Sequence, residues 1–276
     1  MEGESNHFIG SINGLVCFRD DQDCIKLWNP SIRLTSRRSP PAFSEEMMSI
    51  PYNAFLGYDK VNDKYKVLAF EYVSQSRNMA RLYTFGESDW TTIPDLPFGH
   101  PIWGERQTFV NGNLHWLVKS GDGSLKSMII SFDVEKETYG EVLLPPKLDG
   151  KIQDLDLHVS NNYLYVWQFS HKSRYVLWMM KQYGVRESWT KLMIIPRSFH
   201  ISRSHNCEYN DPHLSPLCIL ENGVVVLRTT CSRSYLVMYD SKNGKFGRYC
   251  RITRSSLRWC RGIHHESLVS PPYVST

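Results

Sequence analysis

A chain of 276 residues with 41% apolar, 13% aromatic and 22% charged side chains can close a full core, which excludes disordered and collagen-like polymers. A net charge of +4 does not by itself imply a nucleic-acid partner, and no recognisable nucleic-acid-binding module is present. Apolar runs such as Tyr175 to Met180 and Val224 to Leu227 fall far short of the roughly 20 residues of a membrane-crossing helix, so no membrane partner is expected.

Tight-turn signals flanked by apolar runs occur at Asn13-Gly14, Asn62-Asp63, Asn111-Gly112, Asn161-Asn162 and Asn222-Gly223, at steps of 49, 49, 50 and 61 residues. Asn-Gly between alternating apolar residues predicts a hairpin with a type I′ turn, because both central residues need positive φ. A second hairpin follows each first one. Unit one predicts strands at Phe8 to Ser11, Leu15 to Phe18, Cys24 to Trp28 and Leu34 to Arg38. Unit two predicts Ala54 to Tyr58, Tyr65 to Tyr72, Ala80 to Phe85 and Trp90 to Ile93. Unit three predicts Gln107 to Val110, Leu114 to Val118, Met128 to Asp133 and Tyr139 to Leu144. Unit four predicts Leu155 to Val159, Tyr163 to Phe169, Tyr175 to Met180 and Trp189 to Ile195. Unit five predicts Pro216 to Leu220, Val224 to Thr229, Tyr235 to Tyr239 and Phe246 to Ile252.

Four strands about every 50 residues is the pattern of propeller blades. The expected fold is therefore all-β and β-propeller-like, one domain over 1–276, with units at about 8–40, 54–94, 105–145, 154–196 and 213–253. In unit four, Tyr163, Tyr165, Trp167 and Phe169 lie on one strand face while Leu164 and Val166 lie on the other. A strand apolar on both faces must be covered on both, as in blades packed face to face. The aromatics Trp28, Tyr83, Phe132, Trp178 and Tyr239 recur at the later half of each unit and are expected to pack between blades.

Several segments stand out as motifs. They are Gly10-Ser-Ile-Asn-Gly-Leu-Val-Cys17, Leu27-Trp-Asn-Pro-Ser-Ile-Arg33, Leu56-Gly-Tyr-Asp59 with Asp63-Lys-Tyr-Lys-Val67, and Val110-Asn-Gly-Asn-Leu-His-Trp116. Ile130-Ser-Phe-Asp133, the run Trp178 to Lys191 and the closing Glu266-Ser-Leu-Val-Ser-Pro271 complete an ordered set from about residue 8 to residue 271, and together they resemble the F-box-associated domain of plant F-box proteins. Each also has a plain reading: Asn29-Pro30 ends a strand, and Asp63 to Val67 alternates charge with apolar residues as an outer or edge strand would.

The resemblance implies a protein-protein interaction module, the substrate-recognition part of an SCF-type (cullin-RING) E3 ubiquitin ligase. Its partner is a target protein for ubiquitination. The SCF adaptor subunit is a partner only if an F-box is present in the full-length protein, because in this chain the F-box itself is missing. The strands that would complete a last blade with 266–271 are absent too, so 266–271 is expected as a C-terminal strand of an incomplete closing blade. A truncated product, a splice form and a fragment all fit.

Enzyme signatures are lacking: there is no Gly-x-Gly-x-x-Gly, Walker loop, Gly-x-Ser-x-Gly or His-Glu-x-x-His. No catalytic residue, cofactor site or metal site is expected. The best zinc candidate, His200, His205, Cys207 and His213, has no finger spacing. The alternative reading is a propeller hydrolase or oxidase with an unrecognised site. The seven cysteines, Cys17, Cys24, Cys207, Cys218, Cys231, Cys250 and Cys260, are odd in number and without a Cys-x-x-Cys pair, and read as reduced thiols. With no secretory pattern in Met1 to His7, a cytoplasmic or nuclear location is expected. Lys242, Lys245, Arg248, Arg251, Arg254, Arg258 and Arg261 face a single acid, Glu266, in the tail, and read first as a solvated strand and turn. The long segments 37–53, 73–79, 94–106, 119–127, 145–154 and 196–215 fall on one propeller face, opposite the tight turns, where binding residues concentrate. Trp103, Arg106, Phe199, His200 and Arg203 are the expected target contacts, because Trp and Arg are common hot spots.

Overall fold

Short strands that are apolar on both faces must be sandwiched between neighbours. The computed structural model describes residues 6–42, 53–74, 77–96, 108–119, 127–146, 148, 155–170, 174–196, 213–230, 235–251 and 266–272. Within them the strands form five four-stranded antiparallel sheets, the blades of an all-β propeller, each made of strands consecutive in the chain. Blade one holds β1 (His7–Ile12), β2 (Leu15–Arg19), β3 (Ile25–Asn29) and β4 (Leu34–Thr35). Blade two holds β5 (Asn53–Asp59), β6 (Lys64–Ser74), β7 (Arg77–Thr84) and β8 (Thr91–Ile93). Blade three holds β9 (Phe109–Val110), β10 (Asn113–Lys119), β11 (Ser127–Asp133) and β12 (Thr138–Val142). Blade four holds β13 (Leu155–Ser160), β14 (Tyr163–Ser170), β15 (Arg174–Met180) and β16 (Trp189–Pro196). Blade five holds β17 (His213–Ile219), β18 (Val224–Thr230), β19 (Tyr235–Asp240) and β20 (Lys245–Arg251). Blades meet through their first two strands: β1 on β5, β5 on β10, β10 on β13 and β13 on β17.

Four apolar layers fill the spaces between consecutive blades. Blade two shows the alternation that builds them. Leu56, Tyr65, Val67, Ala69 and Tyr83 join Leu15, Cys17, Ile25 and Leu27 of blade one. Phe55, Leu68, Phe70, Ala80 and Leu82 join Leu114, Trp116, Ile130 and Phe132 of blade three. In blade four, Tyr165, Trp167, Tyr175 and Leu177 pack toward blade five, while Leu164, Val166, Val176 and Trp178 pack toward blade three. The recurring aromatics serve as expected: Tyr83, Phe132, Trp178 and Tyr239 each lie in the layer shared with the preceding blade. Trp28 takes the equivalent place in blade one and is half-buried.

Large aromatics also supply polar handles across these layers. Trp90 Nε1 donates to the Pro40 carbonyl at 2.9 Å, and the Tyr139 hydroxyl to the Pro94 carbonyl at 3.0 Å. Trp189 Nε1 donates to the Leu143 carbonyl at 2.9 Å, and Trp167 Nε1 to the Leu214 carbonyl at 3.0 Å. Each bond satisfies a carbonyl outside its blade's own ladder, so the ring fixes the neighbouring chain as well as filling space.

The turns correct part of the expectation. Asn13-Gly14, Asn111-Gly112 and Asn161-Asn162 have both residues at positive φ, as a type I′ turn requires. At Asn222-Gly223 only Gly223 does, with φ 87°, and its N–H donates to the Leu220 carbonyl at 2.9 Å, giving a type I turn closed by a left-handed glycine. Asn62-Asp63 belongs to a four-residue loop instead. The Asp59 carboxylate accepts the N–H groups of Val61 and Asn62 and the Asn62 side chain, and only Asp63 is left-handed, at φ 53°. Asp133 and Asp240 hold the β11–β12 and β19–β20 loops in the same way, with Glu137 and Gly244 left-handed.

Two further expectations change. The alternating charges of Lys64 to Val67 suggested an edge strand, yet β6 lies between β5 and β7 and Lys66 is 7% exposed. Its ammonium is accommodated because Asp59 Oδ2 lies at 3.2 Å, Glu137 Oε1 at 2.8 Å and the Val134 carbonyl at 3.0 Å. The second concerns 266–271, expected as a strand, which joins no ladder among the described residues. Asn29 Nδ2 donates to the carbonyls of Ser267, at 2.9 Å, and Val269, at 2.7 Å, so side-chain bonds replace strand pairing and tie the chain beyond blade five to blade one.

Candidate functional site

The five expected target contacts, Trp103, Arg106, Phe199, His200 and Arg203, lie outside the described residues, as do His205 and Cys207 of the zinc candidate. His213 opens β17. Among the described residues no cluster of three or more His, Cys, Asp or Glu side chains is placed to hold a metal ion. Among the described residues Cys17 and Cys24 are buried free cysteines, and Cys218 is half-buried.

The most strongly shifted described histidine is His115, 1% exposed in β10. Its Nε2 faces the Tyr183 hydroxyl at 2.7 Å and its Nδ1 the Thr108 carbonyl at 3.3 Å. The neutral tautomer with a proton on Nδ1 satisfies both, and burial pulls the ring down to about 4. His115 thus joins blade three to the β15–β16 loop of blade four and serves as packing, with no solvent path for acid or base work among these contacts.

The described cavity lies on the opposite, turn face. It is an open cleft of about 800 Å³ lined by Asn13, Gly14, Tyr58, Asp63, Tyr65, Glu266, Ser267, Val269, Ser270 and Pro272. Three chain segments build it: the β1–β2 turn, the β5–β6 hairpin and the carboxyl-terminal stretch. Tyr58 and Tyr65 are direct cross-strand partners, which sets their ring centroids 4.8 Å apart with planes inclined by 42°. The Tyr58 hydroxyl donates to Asp63 Oδ1 at 2.6 Å, and Asn13 Nδ2 donates to the Tyr65 hydroxyl at 3.3 Å. The hydrogen bond to Asp63, followed by burial, pushes the Tyr58 phenol up to about 12, and burial raises Tyr65. Both therefore remain protonated donors at neutral pH. Among the described residues the lining offers two carboxylates, hydroxyls and aromatic faces, with no His, Cys, Lys or Arg. Such a set can hold a ligand by hydrogen bonds and charge; it contains no paired nucleophile and base.

Asn29 is the hinge pin of this wall. It is fully buried, accepts the Ser31 N–H at 2.8 Å and donates to both Ser267 and Val269. Asn29→Ala is expected to cost about 1–3 kcal/mol by leaving these groups unpaired. Amide exchange at residues 266–270 should rise while that of β6 stays unchanged, which hydrogen-exchange mass spectrometry can read; equal protection in both proteins would refute the anchoring role. Sequence reasoning named both ends of the cleft as motifs, Gly10 to Cys17 and Glu266 to Pro271, and assigned them to turn and strand. No local signal shows that residues 250 positions apart share a cavity.

A model of the F-box associated beta propeller domain family matches residues 1–267. An F-box/kelch-repeat protein of Arabidopsis thaliana is 28% identical over 271 residues, covering 95% of this chain and 68% of its own length. A second Arabidopsis F-box protein is 25% identical over 86% of this chain and 64% of its own length. F-box protein CPR1 of the same plant is 26% identical over 71% of this chain and 53% of its own length. The chain thus spans between about half and two thirds of these relatives. A solved structure of a mutant Aleuria aurantia lectin with alpha-methyl-L-fucoside is similar over 91% of this chain and 78% of that one, with a TM-score of 0.45 and 11% identity.

Proposed function

Because the chain belongs to the F-box associated β-propeller family, we propose that it is the substrate-recognition module of an SCF-type ubiquitin ligase and acts by binding, without catalysis of its own. The observation that carries this reading is the family match over residues 1–267, together with relatives that are themselves F-box proteins along most of the chain. The turn-face cleft, with two carboxylates, hydroxyls and aromatic faces among its described lining, supplies groups suited to binding. In this reading the partner is a target protein, the adaptor subunit engages through an F-box where the full-length protein carries one, and the compartment is the cytoplasm or nucleus. Trp103, Arg106, Phe199, His200 and Arg203 are proposed contacts on the loop face.

The test is to join the chain to the F-box of the Arabidopsis F-box/kelch-repeat relative and compare it with the F-box alone in plant cells. The fusion is expected to bind the adaptor and to add ubiquitin to proteins that the F-box alone leaves untouched. Alanine at the five loop positions should reduce that set, while Lys136→Ala on the turn face should not. A fusion that binds the adaptor yet alters the ubiquitination of no protein would defeat the proposal.

A further inference from the structure

We propose that the turn-face cleft receives an arginine or lysine side chain of a partner segment, so that the protein recognises an exposed basic residue. This names the partner chemistry for the binding role above and rests on that reading only for the partner's fate. At about 800 Å³ the cleft is within the usual range of ligand pockets and far larger than one side chain needs. Its charge is one-sided. Asp63 and Glu266 line it, no cationic side chain among the described residues does, and Asp63 spends only one carboxylate oxygen, on the Tyr58 hydroxyl. A neutral occupant would strip water from these carboxylates and leave them unpaired, whereas a cation compensates them.

A second observation is independent of the acids. Tyr65 is 6% exposed, and its hydroxyl accepts a hydrogen bond from Asn13. Its own proton has no acceptor among the described residues, although the side chain lines the cleft. A buried donor left over at the wall of a cavity is satisfied when an occupant brings an acceptor, such as the backbone carbonyl of the segment that carries the cation. The rings of Tyr58 and Tyr65 add faces for a guanidinium, which favours arginine over lysine. The net charge of +4 disfavours unspecific attraction of cations, so a bound cationic peptide reports this local site.

Fluorescein-labelled tetra-arginine, tetra-lysine and tetra-glutamate peptides are titrated with the full chain at about 0.15 M ionic strength and followed by anisotropy. Tetra-arginine is expected to bind more tightly than tetra-lysine, and tetra-glutamate not at all. The pair Asp63→Asn and Glu266→Gln should weaken tetra-arginine about tenfold or more, and Tyr65→Phe by about threefold to tenfold, from lost charge-assisted and neutral hydrogen bonds. Glu141→Gln, an exposed carboxylate outside the cleft, should change nothing. If the paired variant does not fold, Glu266→Gln alone serves, since that exposed side chain supports no packing. Absent tetra-arginine binding, or binding unchanged in the Asp63 and Glu266 variants, overturns the proposal. Such a failure with target ubiquitination intact leaves the ligase reading standing, while cleft-dependent peptide binding without any ubiquitination removes that reading and keeps the cleft.

Discussion

Lys66→Met is expected to lower the free energy of unfolding by about 3–5 kcal/mol, because breaking a buried ion pair from one side strands the opposite charge. The stranded group is Asp59, whose side chain is fully buried and whose Oδ2 lies 3.2 Å from Lys66 Nζ. The bonds that Asp59 receives from Val61 and Asn62 remain in the variant and keep the loss toward the lower end of that range. Glu137 is 40% exposed, so its 2.8 Å contact with Lys66 is screened and adds little. Val134 also loses the donor to its carbonyl, and Gly57 of β5 already meets Val134 so closely that a Cβ there would lie 2.7 Å from Cγ2. The loss should therefore spread along the interface between blades two and three. Urea unfolding at neutral pH reads it, and Lys66→Met combined with Asp59→Asn should recover part. A midpoint within experimental scatter of the parent protein would mean that the cluster contributes nothing.

The pH dependence of the same cluster has a definite sign. Burial alone would pull the Lys66 ammonium down, but Glu137 and Asp59 outweigh it and hold its pKa above the ordinary 10.5. Its contribution is complete below 10.5 and disappears only as the pH rises through the raised value. For Asp59, burial works upward, yet the bonds from Asn62 and Lys66 prevail and keep it below its ordinary 3.8. That contribution is present above 3.8 and is lost as the pH falls through the depressed value. Between these limits the difference between parent and Lys66→Met should be flat, and it should shrink on the acid side below 3.8.

Trp167→Ala is expected to cost a similar amount, about 3–5 kcal/mol, as large core truncations do when the site cannot collapse. Trp167 is 1% exposed, stacks on Tyr175 at 4.9 Å with planes 17° apart, and lies in the layer between blades four and five. Its Nε1 and the Tyr175 hydroxyl hold both backbone groups of Leu214, at 3.0 and 2.9 Å. Trp167→Phe keeps much of the area but orphans the Leu214 carbonyl, so about 1–3 kcal/mol is expected. Tyr163 is the internal control: it shares the strand and face of Trp167 but is 42% exposed at the turn end, and Tyr163→Ala should cost under about 1 kcal/mol. Thermal or urea unfolding of the three variants ranks them, and a Tyr163 effect as large as that of Trp167 would contradict the blade-four to blade-five assignment.

These two sites differ in how far the sequence revealed them. The face of Trp167 was visible as a period of two over Tyr163 to Phe169, and its role follows from that alternation alone. Lys66 was misread because its neighbours also alternate; a lysine at a buried position looks like a solvated one until the carboxylates that neutralise it are located. One of them, Asp59, is seven residues away across a loop, and the other, Glu137, comes from blade three. The Asn222-Gly223 turn was misassigned for a related reason, since the dipeptide allows positive φ at both residues but the loop length and strand register decide whether both use it.

By itself the sequence determined the five-fold repeat of four strands, the two apolar faces of the strand from Tyr163 to Phe169 and the recurring aromatics that pack between blades. These follow from local periodicity, which survives in one dimension. Only the tertiary structure decided that Asn29 binds Ser267 and Val269, that Lys66 is buried between two acids, and that Asn13, Tyr65 and Glu266 border one cleft. Those pairings depend on how the blades wind and where the chain returns to blade one, and a side chain carries no mark of a partner hundreds of residues away.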